Sequence, residues 1–105
     1  MSENYILVVT TVGSEEQAAT LAHLLVERRL AACVQMHPVR SVYRWQGKVC
    51  DEAEYVLTIK TTERRYAELE QLILEHHPYE RPEIVRLEIA GGSHGYLAWL
   101  GESVE

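Results

Sequence analysis

The residues of this chain best equipped for chemistry are two adjacent histidines, His76 and His77, two cysteines, Cys33 and Cys50, and the pair Lys60 and Glu83 at the ends of apolar runs. Neighbouring residues on one helix point about 100° apart, so His76 and His77 cannot form the i, i+4 chelate of a single helix face. One of them, joined by carboxylates and by groups from the end of the first strand or from a neighbouring chain, would suit copper or zinc, which both accept imidazole. The competing reading sets both histidines at a helix C-terminus, where partial negative charge favours imidazolium. Cys33 and Cys50 lie seventeen positions apart with no C-x-x-C, so neither a thioredoxin-like pair nor a thiolate hook for a soft ion is encoded. Cys33 opens an apolar segment and is expected in the core, whereas Cys50, close to a hairpin tip, is expected to be exposed. His37 and His94 read as surface residues. Lys60 and Glu83 are placed to form an ion pair lining a cleft between subunits. No nucleophile elbow, phosphate loop or H-E-x-x-H is present, and the expectation is a protein that is not an enzyme.

These groups sit in a chain of 105 residues, 47% hydrophobic and 25% charged, which is expected to fold as one domain over residues 1–105. The formal net charge of −6 and a pI near 5.3 disfavour attraction to phosphate backbones and anionic lipid. Neither nucleic acid nor membrane is therefore an expected partner. The start, Met1 to Tyr5, has no basic n-region before the first apolar run, so the expected address is the cytoplasm.

The elements that must position the chemistry are legible in order. Tyr5–Val12 is β-branched and apolar on both faces, as a central, doubly covered strand would be. After Gly13, the run Ser14-Glu-Glu-Gln17 has capping-box spacing, and a helix follows from about Glu15 to about Arg29. The period then changes to two. Pro38 should mark a bulge, a bend or an edge position, and Gln46-Gly47 is a tight-turn signal between two arms of about a dozen residues. Along the first arm Val39, Ser41, Tyr43 and Trp45 share one face, and Arg40, Val42 and Arg44 the other. Thr61-Thr62 is expected to cap a second helix with Tyr66, Leu69 and Ile73 inward, stopped by Pro78. Glu83–Ala90 reads as a fourth strand with Val85, Leu87 and Ile89 inward. Gly91-Gly92 turns the chain into a short last helix capped by Ser93.

The order β-α-β-β-α-β-α is an α+β plan, the ferredoxin-like split βαβ with one extra C-terminal helix. Its overlong hairpin, with Tyr43, Arg44 and Trp45 near the tip, is expected to pair with other copies of the chain.

Five ordered segments resemble the signature blocks of the CutA divalent-cation-tolerance family: Leu30-Ala-Ala-Cys-Val34, Ser41-Val-Tyr-Arg-Trp-Gln-Gly-Lys48, Ile59-Lys-Thr-Thr62, His77-Pro-Tyr79 with Pro82-Glu-Ile84, and Tyr96-Leu-Ala-Trp99. The resemblance implies a homotrimer similar in architecture to the PII signalling proteins, with long hairpins pairing between subunits. It also implies a link to tolerance of copper and other divalent cations, with His76 and His77 the metal candidates. In some members a cysteine near the end of the first strand joins them; Thr10 or Thr11 holds that place here, a poor ligand for a soft ion. Lys60, Tyr79, Glu83 and Trp99 match signature positions and are candidates for an inter-subunit cleft. The alternative of a different class is a PII-like trimeric signalling module with a small ligand in those clefts. An RNA-binding domain of the same topology would carry aromatic RNP strands, and a copper chaperone a C-x-x-C after the first strand; this chain has neither.

Overall fold

Alternation along the first strand decides which way the sheet faces. In the computed structural model, which describes residues 3–105, strand β1 (Tyr5–Val12) buries Ile6, Val8, Thr10 and Val12 against two helices, α1 (Glu15–Glu27) and α2 (Tyr66–His76). Ala18, Leu21, Ala22 and Leu25 of α1 and Leu69, Leu72 and Ile73 of α2 meet them in one core. Strand β3 (Lys48–Thr62) adds Leu57 and Ile59 to that core. Each such aliphatic side chain, fully buried, contributes about 1.5–3 kcal/mol of transfer free energy.

Strand β2 (Cys33–Trp45) and the four-residue β4 (Val85–Glu88) complete an antiparallel sheet in the order β2-β3-β1-β4. Pro38 stands on the edge strand and faces Tyr55 in an unbroken register, so it marks an edge and not a bulge. Gln46 and Gly47 both have positive φ, 51° and 79°, as a two-residue I′ hairpin requires.

The first helix begins as its spacing predicts: Gln17 N–H donates to Ser14 Oγ at 3.1 Å, while Gln17 Oε1 reaches back to Gly13 N–H at 3.1 Å. It ends in a Schellman arrangement, Leu30 N–H to Leu25 O and Arg29 N–H to Val26 O, with Arg29 at φ 58°.

Four expectations need correction. The outer face of β1 is only half-covered: Tyr5, Leu7 and Val9 keep part of their surface. The helix α3 (His94–Ser103) lies on that face, with Gly101 against the Tyr5 ring and Leu100 and Val104 fully buried outside the main core. The fourth strand has the opposite parity. Leu7 faces Leu87 and Val8 faces Arg86, so Val85 and Leu87 lie on the open face, 47% and 49% exposed, and Ile84 packs on the core. Thr62 and Ser93 make no side-chain cap: α2 is preceded by a 3-10 turn at Glu63–Arg65, and the Thr62 hydroxyl is buried without a partner. Cys33, finally, pairs with Lys60 and faces the open side, half-buried; its neighbour Val34 packs against the core.

Candidate functional site

The end of α2 is set by Pro78, whose ring pushes the preceding residue out of helical geometry. His77 accordingly has φ −79° and ψ 134°. This turns its ring to the end of β1. Odd-numbered residues of β1 direct their carbonyls toward β4, as Tyr5 O does in accepting from Ile89 N–H at 2.9 Å. β4 pairs no further than Val9, which leaves Thr11 O open, and His77 Nε2 donates to it at 2.7 Å. Nδ1 then accepts from Tyr79 N–H at 3.1 Å. One tautomer satisfies both bonds, with the proton on Nε2. Burial pushes this imidazole below its ordinary value, against an upward pull from Thr11 O and Glu54.

Tyr79 packs on the His77 ring, centroids 4.8 Å apart, and donates its hydroxyl to Glu54 Oε2 at 2.7 Å. Glu54 is 6% exposed. It stands on β3 just past the last rung with β1, Val12 to Tyr55. Burial first, and then the hydrogen bond to Glu54, raises the Tyr79 phenol well above its usual range. Tyr43 is raised as well, by desolvation and then by Glu52, Cys50 and Glu54. One face of the hairpin thus carries Glu54 at its root, held by the Tyr79 phenol, then Glu52, and Tyr43 toward its tip.

His76 goes elsewhere. It is exposed, and its Nδ1 lies 3.0 Å from Leu72 O of its own helix, leaving Nε2 as the one nitrogen of the pair that could take a metal. As a chelating pair, His76 and His77 do not fit an ion, because both nitrogens of His77 are spent on backbone. Among the described residues no group of three or more His, Cys, Asp or Glu side chains converges.

The cleft candidates divide between two places. Lys60 donates to Gln35 Oε1 at 3.1 Å and lies 5.5 Å from the Tyr96 ring centroid, with Trp99 stacked 5.4 Å beyond. Tyr79 belongs to the Glu54 cluster, and Glu83 is exposed. Within one chain Lys60 therefore engages Gln35 and not Glu83. Tyr43 and Trp45 are 41% and 38% exposed, on the face opposite Arg44. Sequence reasoning missed Glu54 and Gln35, and gave Thr11 and Tyr96 no such partners; the period-two spacing that sets Glu52 and Glu54 on one face with Val56 and Thr58 was the signal that could have found the acids.

Residues 6–103 match the family described as CutA1 divalent ion tolerance protein. This chain belongs to that family. Its CutA relatives are similar over almost the whole chain. The divalent-cation tolerance protein CutA of Thermus thermophilus is 49% identical over 92% of this chain and 95% of its own length. That of Thermotoga maritima is 38% identical over 94% and 98%. Among solved structures, CutA from Synechococcus elongatus superposes with a TM-score of 0.95 at 38% identity, covering 99% of this chain and 93% of the other. The CutA1 fold is therefore shared along with the sequence, including the long hairpin whose root carries Glu54.

Proposed function

We propose that this CutA1 chain serves divalent-cation tolerance as a homotrimer, that it meets its cation, copper first among them, on donors contributed by more than one chain, and that it does so without catalysis. The observation that carries this reading is the hairpin arm beyond Tyr55. It has no helix on either side and displays Val42 and Val49, each 66% exposed, on one face and Tyr43 and Trp45 on the other. A lone chain gains nothing by exposing such an arm, whereas further copies would bury it. The donors left free point the same way: His76 Nε2 supplies one ligand, and a borderline ion needs several. Calorimetric titration with copper and zinc, beside sedimentation, tests the proposal. Binding should be moderate and reversible, and His76→Ala should weaken it while His77→Ala acts mainly on stability. A stable monomer at micromolar concentration, or a His76→Ala chain that binds copper as the parent does, would count against it.

A second reading is favoured by Lys60 beneath the Tyr96–Trp99 pair. A cation beside two exposed rings suits a small planar anion, as a PII-like signalling trimer would hold between its subunits. Nucleotides added to the same titration separate the two readings.

A further inference from the structure

Glu54 is a buried carboxylate whose one hydrogen bond comes from a neutral phenol. A carboxylate removed from water calls for a positive partner. The ion pairs among the described residues join Arg40 to Asp51, Arg64 to Glu3, Arg65 to Glu68, and Arg86 to Glu63 and Glu88; none reaches Glu54 or Glu52. His77 is held toward its neutral form by burial and has both nitrogens engaged. Glu52 and Glu54 both act to raise Tyr43 and Tyr79, whereas at Tyr66 Arg86 pulls the other way. Among the described residues, then, no positive charge is paired with Glu54.

Among the described residues of one chain no three His, Cys, Asp or Glu side chains converge on a metal, and chelation by EDTA separates a metal from a protein cation. The chain carries its own complement at the other end of the hairpin. Arg44 and Lys48 flank the Gln46-Gly47 turn, both exposed, and neither enters an ion pair or side-chain hydrogen bond among the described residues. Lys48 shares the face of Glu52 and Glu54. Six residues of strand separate it from Glu54, about 20 Å, too far to meet within one chain. We infer that Glu54, held by Tyr79, receives the hairpin-tip cation Lys48 of a second copy, Arg44 standing on the opposite face, so that the Glu54–Tyr79–His77 cluster is completed only by its neighbour. The contact is head-to-tail, tip to root, and such contacts make a ring where the rotation between copies closes. It rests on the trimer proposed above.

The test is sedimentation velocity on the wild type, Glu54→Gln, Glu54→Lys, and Glu54→Lys combined with Lys48→Glu, each with and without EDTA, and with circular dichroism to confirm the fold. Glu54→Gln should raise the dissociation constant of the assembly by at least about tenfold. Glu54→Lys should dissociate it, and the combined charge reversal should restore it. EDTA should change nothing. A monomeric wild type overturns the trimer and this contact together. A trimeric wild type with an unaffected Glu54→Gln overturns this contact alone. So does a folded Glu54→Lys chain that the Lys48→Glu reversal fails to reassemble, or an assembly that EDTA dissolves, which would assign the partner charge to a metal.

Discussion

Tyr79 carries more of the fold than a ring 36% exposed suggests, because its hydroxyl is the one donor to a buried carboxylate. Tyr79→Phe keeps the packing on His77 and removes only that bond, so it should cost about 1–3 kcal/mol in denaturant unfolding. His77 gives a pH signature. Its folded value is depressed, so the unfolded chain takes up the proton first as acid is added. Its contribution is complete above an ordinary imidazole value near 6.5, is lost as pH falls through that value, and levels off below the folded one. His77→Asn should flatten this part of the stability profile measured from about pH 8 to about pH 5. The pair His76-His77 was visible in the sequence as a chemical feature, but its geometry was not. Pro78 marked the end of the helix; which carbonyl His77 would meet depended on β4 stopping at Val9, a tertiary fact.

At the level of elements, local signals were read well wherever backbone chemistry decides. Ser14 and Gln17 begin α1, Pro38 lies on an edge, and Gln46-Gly47 turns the hairpin. The fourth strand was misread because both faces of this sheet are apolar, so alternation alone could not say which one meets the helices. Arg86 takes the inner face by setting its guanidinium over Tyr66, 5.1 Å from ring centroid to guanidinium carbon, and donating to Glu63 and Glu88. Among the described residues two hold left-handed backbone without being glycine, Arg29 and Gln46. Arg29→Gly should stabilise by about 0.5–1 kcal/mol, the left-handed cost of a side chain outweighing the extra freedom of glycine in the unfolded chain. Gln46→Asn should raise the melting temperature for the same reason, since Asn-Gly favours the I′ turn. An unchanged or lower midpoint in either variant would show that the long side chain makes compensating contacts.

The whole molecule is elongated, 47 × 25 × 22 Å, with a radius of gyration of 14.4 Å where a compact chain of this length has about 13 Å. The excess is the hairpin arm. Trp45→Ala should therefore leave the fold of a single chain intact and weaken assembly, read as a loss of mass in sedimentation at unchanged circular dichroism. The two thiols are free and stand at opposite ends of the β2–β3 ladder, Cys33 at Lys60 and Cys50 at Tyr43, about 33 Å apart along the strands. Oxidation should consequently yield no intrachain disulfide on peptide mapping. The arm leaves the sheet at Tyr55, its last rung with β1, and runs about 23 Å to Lys48. It is a lever with its fulcrum at the bond between Glu54 and Tyr79. By geometry alone, a small change of angle at Glu54 would be multiplied along seven residues into a larger displacement of the tip.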